Sequence, residues 1–182
     1  MKNTDTRVQY TKARIHDALT ELLAEKQLRF ITVKELCDVA GINRGTFYLH
    51  YASLRDVLSE IEEDALQEMN VTLDYPSEPS YEETMRERLT IMKRDKRKYI
   101  ALISQSGNPQ FLSDVRNRYV LQKDDPALTE EEKAERQLRY DFFFSGTTGS
   151  VKAWLTGKIS CSAELMAKTL AQFYFTIINP DA

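Results

Sequence analysis

Cysteine, histidine, glycine and proline are all scarce in this chain of 182 residues, which holds two, two, six and five of them. Each scarcity removes a class of protein. Cys37 and Cys161 lie far apart and inside helical patterns, so a disulfide framework is not expected and reduced, buried thiols are. His16 and His50 have no cysteine at ligand spacing, so no metal site is expected. With so little Gly and Pro against 42% hydrophobic and 29% charged residues, the composition is neither collagen-like nor that of a disordered chain. Purely apolar runs stop after a few residues, far short of the roughly 20 that cross a bilayer. The opening "MKNTDTRVQYTKAR" lacks the apolar region of a secretion signal. A cytoplasmic protein with no membrane partner is therefore the expectation. A Gly-rich phosphate loop and a nucleophile set in an elbow or triad context are also missing, so neither catalysis nor a cofactor is expected.

What is present points to an all-α fold. The length suits one domain, or a small domain leaning on a larger one. The net charge of −3 is unevenly spread: residues 1–60 hold nine Lys/Arg against eight Asp/Glu, and residues 61–182 sixteen against twenty. Within the first sixteen residues Lys2, Arg7, Lys12 and Arg14 face only Asp5. A basic arm on a mildly acidic body is compatible with nucleic acid.

Periodicity and capping residues divide the chain into about nine helices. Ile15, Ala18, Leu19, Leu22 and Leu23 recur at the spacing of one amphipathic face and predict a first helix over 11–25. Thr32 followed by Glu35 is a capping box that opens a second, with Val33, Leu36, Cys37 and Ala40 inward and Gly41 as its left-handed stop. Asn43 is an N-cap for a third helix to about Tyr51, and Ser53 with Asp56 repeats the capping-box spacing before a fourth over 54–71. "LDYPSEPS" then marks a boundary. Ser80 with Glu83 is expected to cap the fifth helix, Asp95 the sixth, Pro109 to sit in the first turn of the seventh, Thr129 with Glu132 to open a long eighth, and Ser162 the ninth. Two domains follow: residues 1–54, with a helix-turn-helix over 32–51, and residues 55–182, joined through the fourth helix.

The segment "GINRGTFYLHYASL" carries five consecutive residues with large apolar or aromatic side chains, Phe47 to Tyr51. At 100° per residue Phe47 and Tyr51 point one way, toward the other helices, while Gly45, Thr46, Tyr48 and Leu49 point the other, with Arg44 and His50 at the margins. The outward set has the inventory of a groove-binding surface: a guanidinium, a hydroxyl with a methyl, a phenol, an imidazole, and a glycine that permits close approach. The alternative is that Tyr48, Leu49 and His50 cover another part of the same protein. Helix, glycine turn, short helix is the helix-turn-helix arrangement, whose second helix enters the major groove.

"ARIHDALTELLAEKQLRFITVKELCDVAGINRGTFYLHYASLRDVL" resembles the DNA-binding domain of the TetR family of bacterial transcriptional regulators. The likeness covers about fifty residues and is most specific at "RGTFYLHYASLRDVL". The later "SGTTGSVKAWLTGKISCSAELMA" resembles a Gram-positive subgroup near the dihydroxyacetone-kinase operon regulator. The resemblance implies Thr32 on a phosphate, Arg44, Gly45 and Thr46 near base edges, and Tyr48 and His50 on phosphates or the groove edge. Many members carry a phosphate-binding lysine where this chain has Leu54, and Arg55 is the substitute at hand. Lys12 and Arg14 are phosphate candidates or solvated surface.

The resemblance also implies a homodimer on a palindromic double-stranded DNA operator, built from the last two helices. Phe143, Gly146, Gly149, Ser150, Trp154, Leu165, Phe173 and Ile177 are the candidate interface, an intramolecular core being the rival. A small-molecule effector would sit among helices four to eight, where Met69, Met85, Met92, Tyr99, Phe111, Tyr119 and Phe142 line either a cavity or plain core. The run "KRDKRK", Lys93 to Lys98, reads as a solvated loop and helix start. A ligand-responsive repressor is the function implied; an all-α protein-interaction or lipophile-binding module that leaves DNA alone is the alternative.

Overall fold

The structure, a computed structural model, describes residues 2–69, 78–104, 108, 110–121 and 128–178; of residues 2–5, 78 and 118–121 it describes the backbone. These residues form α1 (Lys2–Glu25), a short 3-10 helix (Leu28–Phe30), α2 (Val33–Ala40), α3 (Arg44–Tyr48), α4 (Leu54–Glu68), α5 (Glu78–Arg94), α6 (Lys96–Ile103), α7 (Phe111–Leu121), α8 (Glu130–Leu155) and α9 (Ala163–Ile177). No strand occurs among the described residues, and no helix there is long and apolar enough to cross a membrane. The all-α expectation holds. Two compact units form, one of Met1–Glu68 with Arg97–Pro109, the other of Met69–Lys96 with Gln110–Ala182. The division thus falls after α4, because α4 buries Val57, Leu58, Ile61 and Ala65, and α1 and α4 pack together.

In the first unit α1, α2 and α4 pack around Ile15, Leu19, Leu23, Leu36, Phe47, Val57 and Ile61, all essentially without solvent contact. α1 starts at Lys2 rather than near Thr11, since residues 2–10 contain neither Pro nor Gly to stop a helix once it is nucleated. In the second unit α5 packs on α9, and α8 on α7 and α9. The rings of Tyr81, Phe143 and Tyr174 join the three helices α5, α8 and α9: Tyr81 stacks on Tyr174 at 4.4 Å between centroids, and Phe143 meets Tyr174 edge-on at 5.4 Å. Arg139 of α8 adds a hydrogen bond to the Ile177 carbonyl of α9.

Local capping chemistry sets most helix starts. Thr129 and Glu132 form the full reciprocal box, and Ser162 Oγ accepts from the Leu165 amide. Ser53 and Asp56 do the same in both directions, at 2.8 and 3.3 Å. Two expected caps are absent. α5 begins at Glu78, which places Ser80 inside the helix with its carbonyl taken by Thr84. The Asp95 carboxylate holds the Arg94 guanidinium. Pro109 and most of "LDYPSEPS" lie outside the described residues.

Candidate nucleic-acid interface

The path into the recognition segment is fixed by a sharp helix stop. Gly41 adopts φ +61°, and the amides of Ile42 and Gly41 close on the carbonyls of Cys37 and Asp38 at 3.0 and 3.3 Å. This is the paired hydrogen-bond pattern of a Schellman stop, which a left-handed residue makes possible. Arg14 reaches across from α1 to donate to the Gly41 carbonyl at 3.3 Å, with its guanidinium over the Tyr10 ring. Two residues later Asn43 Oδ1 accepts from the Thr46 amide at 2.7 Å and starts α3. α3 is shorter than its expected run to Tyr51. Its α-helical part ends at Tyr48, and the chain continues as a turn in which the amides of His50 and Tyr51 both bond to the Phe47 carbonyl.

The two faces of α3 separate cleanly. Phe47 is fully buried, whereas Tyr48 is 58% exposed and Leu49 80% exposed. Arg44 and Gly45 are exposed, and Thr46 and His50 half-buried. Tyr48 leans edge-on against Phe47 at 5.3 Å, which steadies its ring while more than half of the residue stays exposed. Thr32, at the start of α2, is exposed and its hydroxyl accepts from the Glu35 amide. The Glu35 carboxylate also takes Lys26, and that hydrogen bond lowers its pKa, with a smaller contribution from the Thr32 backbone. Within α2, α3 and the start of α4, Lys34, Arg44 and Arg55 are exposed cations with no ion pair. Leu54 is half-buried.

Lys12 is held in an ion pair. It does not stand ready on the surface: its ammonium donates to both carboxylate oxygens of Glu60 at 2.9 Å, lying 5.3 Å from the centre of the Tyr51 ring. Burial works against the charge on Glu60, yet the Lys12 hydrogen bond and charge hold its pKa below the usual value. His16 Nε2 lies 2.9 Å from the Tyr51 hydroxyl and 3.8 Å from Glu60. Burial, then the nearby Glu60 carboxylate, pushes the Tyr51 phenol far up in pKa. Nothing in residues 1–60 marked Glu60 as the partner of a lysine 48 positions away, so spacing alone had no means of finding it.

The remaining expected sites distribute as follows. Met85, Met92 and Phe111 are buried in the second unit and Met69 is half-buried there. Tyr99 is buried in the first unit and donates to Glu68 at 3.0 Å. The Tyr119 side chain lies outside the described residues. Phe142, expected among the cavity or core residues, is 70% exposed. Phe143 and Trp154 make contacts within their own chain. Phe143 packs within its own chain on Tyr81 and Tyr174. Trp154 is buried, donates to the Cys161 carbonyl at 2.9 Å, and carries Lys93 over its ring. Gly146, Gly149, Leu165 and Phe173 are exposed, and Ser150 and Ile177 half-buried.

This architecture defines a class, an all-α protein with a helix-turn-helix in its first unit. More particularly, the fold is that of the TetR regulators. A TetR transcriptional regulator from Streptococcus agalactiae 2603V superposes with a TM-score of 0.60 at 23% identity, over 93% of this chain and 96% of that one. The dihydroxyacetone kinase operon activator DhaS superposes at 0.52 and 16% identity, over 92% and 96%. The HTH-type transcriptional regulator YxbF of Bacillus subtilis (strain 168) is 32% identical over 53 residues, 29% of this chain. The matched segment spans 14% of that relative's length. No protein-family model matches the sequence.

Proposed function

We propose that this chain is a sequence-specific DNA-binding transcriptional regulator that acts as a homodimer on a palindromic operator and answers to a small-molecule effector. The observation that carries the reading is the outward face of α3, where Tyr48 and Leu49 stand exposed beside Arg44 and Gly45 while Phe47 anchors the helix from behind. Exposing a tyrosine and a leucine side by side gains nothing for the fold. Set in a major groove, the leucine has thymine methyls to meet, Arg44 has guanine edges or phosphate, and Thr46, Tyr48 and His50 have backbone oxygens. Thr32 and the exposed Arg55 extend the phosphate track to the starts of α2 and α4. Lys12 drops out of that track while Glu60 holds it.

One short helix reads few base pairs, so a two-fold dimer with half-sites about 34 to 36 Å apart supplies the rest. Leu138, Phe142, Gly146 and Gly149 share one exposed face of α8, and Leu165 and Phe173 an exposed face of α9. A Cβ added at Gly146 or Gly149 meets nothing within 4 Å. Glycine weakens a helix interior by about 0.5–1 kcal/mol, and the chain's own packing makes no use of the bare backbone here. A second copy approaching closely does. Repression, in which occupancy of a promoter blocks transcription, needs no contact beyond the DNA and is the form this reading takes. An effector regulates only by favouring one spacing of the two reading heads over the other.

The test is selection from a random duplex pool, followed by titration of the selected duplex at rising salt. Affinity is expected to fall steeply with salt. Thr46→Ala and Tyr48→Ala are expected to weaken it about tenfold or more without altering thermal unfolding. Absence of duplex binding across the pool sinks the reading.

A further inference from the structure

We infer that Glu60 is the positioning residue of the recognition helix: through Tyr51 it sets the orientation in which α3 is presented. The inference rests on the DNA-binding reading above for its consequence, and on four side chains for its geometry. Lys12 and His16, one turn apart on α1, both face Glu60, at 2.9 and 3.8 Å. The Tyr51 hydroxyl meets His16 Nε2 at 2.9 Å, and the Glu60 carboxylate, 3.8 Å from the same nitrogen, is near enough to act on the phenol. A phenol has one proton. With that proton directed to the carboxylate, His16 Nε2 is the donor to the phenol oxygen, so every polar atom of the set has a defined role. Asp17 and Asp64 are the other charged groups whose fields reach His16.

Tyr51 is the step from this network to α3. It is buried, its amide bonds to the Phe47 carbonyl at 3.0 Å, and its ring lies 6.0 Å from the Phe47 ring. Phe47 is the buried anchor of α3. Apolar packing of Phe47 against its neighbours is non-directional and tolerates a rolled helix. Hydrogen bonds are directional and weaken steeply when bent. The carboxylate therefore contributes what the core around Val57 and Ile61 does not, a fixed roll and tilt of the segment that carries Arg44, Thr46 and Tyr48.

The same helix is held again further along. Glu68, eight residues on from Glu60, takes Lys98 Nζ at 2.7 Å and the Tyr99 hydroxyl at 3.0 Å, both from α6. α4 thus carries a polar clamp to α1 and the recognition segment at Glu60 and another to α6 at Glu68. A shift of α4 along its axis changes the Glu60 geometry directly, and the recognition helix with it.

Glu60→Gln and the nearly isosteric Tyr51→Phe test this. Removing the carboxylate releases Lys12, which raises attraction to any phosphate and steepens the salt dependence of non-specific binding. A lost DNA contact does the opposite. Positioning therefore has its own signature: affinity for a scrambled duplex holds or rises, while the ratio of selected-duplex to scrambled-duplex affinity falls about tenfold, the order expected for one charged hydrogen bond. Tyr51→Phe is expected to lower the ratio likewise, and the double variant to do little more than the stronger single one. Amide NMR spectra of the full chain without DNA supply the independent arm. The signals of Arg44 to Leu49 are expected to move in Glu60→Gln while thermal unfolding stays cooperative. An unchanged ratio, with signal changes confined to residues touching position 60, overturns the inference. Failure of the wild type to bind any duplex in the pool overturns the DNA-binding reading instead, and the amide spectra then decide the positioning role alone.

Discussion

Gly41→Ala is expected to destabilise the turn that aims α3 by about 1 kcal/mol, within a range of roughly 0.5–2 built from three contributions. Holding an alanine in the left-handed region that Gly41 occupies at φ +61° costs about 1–2 kcal/mol. The new Cβ would stand 2.5 Å from Arg14 Nη2. That atom is the far end of a flexible side chain, so the guanidinium swings away and loses its exposed 3.3 Å bond to the Gly41 carbonyl, at the low end of hydrogen-bond values, about 0.5 kcal/mol. Against these, alanine restricts the unfolded chain and returns roughly 0.4–1 kcal/mol. Gly157→Ala is the control, since Gly157 has φ +81° and nothing within 4 Å of an added Cβ; it lacks the Arg14 contribution. Because the chain forms two compact units, a global melting midpoint reports a mixture. Hydrogen exchange isolates each turn, read at the α2 and α3 amides for Gly41→Ala and at the amides ending α8 for Gly157→Ala. Faster exchange in Gly41→Ala, and about half that effect in Gly41→Asn, whose side chain tolerates the left-handed region, is the expected result. Exchange identical to wild type refutes the account of the turn, and an equal cost at Gly41 and Gly157 refutes the part assigned to Arg14.

Three further outcomes follow from the same structure. Asn43→Ala removes the acceptor of the Thr46 amide and is expected to cost about 1 kcal/mol, read as faster exchange at Thr46 and weaker duplex binding; an intact Thr46 amide would show that the cap is idle. Leu165→Asp with Phe173→Asp charges an exposed face of α9, so sedimentation is expected to show a dimer for the wild type and a folded monomer for the variant, and a dimer that persists in the variant removes this face from the proposed interface. His16 has its pKa lowered from 6.5 by burial, against the raising fields of Glu60 and Asp64 and with Lys12 also lowering it. The unfolded chain thus binds the proton more readily, and stability is full above pH 6.5 and falls as pH drops through it, by at most about 1.4 kcal/mol per pH unit for one proton. Denaturant titrations between pH 7.5 and 5.5 are expected to show a flatter profile for His16→Gln, and parallel profiles would contradict the desolvated placement of the ring.

What could be read in the sequence was what local chemistry decides. The caps at Thr129, Ser162 and Ser53, and the glycine stop at Gly41, depend on atoms within five residues of one another, and all form. The two faces of α3 were legible for the same reason, since rotation by 100° per residue separates Phe47 from Tyr48 and Leu49. Long-range pairing was not. Lys12 looked like a surface cation because its partner, Glu60, is 48 positions away, and the Lys26–Glu35 pair joins residues nine apart that no helical spacing links. The run Asp141 to Phe144 shows where periodicity loses resolution. Three consecutive phenylalanines suit any register, so nothing in "DFFF" distinguishes exposed Phe142 from Phe143, which packs edge-on against the stacked Tyr81 and Tyr174.

Trp154 separates the two accounts of α8 most directly. As a member of a dimer interface it would be shielded by a second copy, and dissociation would bring it into water. In the structure its own chain buries it, with the indole N–H on the Cys161 carbonyl at 2.9 Å and Lys93 4.5 Å above the ring. That hydrogen bond ties the end of α8 to the turn that leads into α9, so the indole staples the two helices within one chain. It is also the one tryptophan of the sequence, which makes its emission a report on the second unit alone. Dilution through the dimer dissociation range, or the Leu165→Asp and Phe173→Asp changes, is therefore expected to leave the emission maximum in place. Denaturant is expected to red-shift it as the second unit opens. A red shift that follows dissociation while the helical circular dichroism stays constant would return Trp154 to the interface and remove its role as an internal staple.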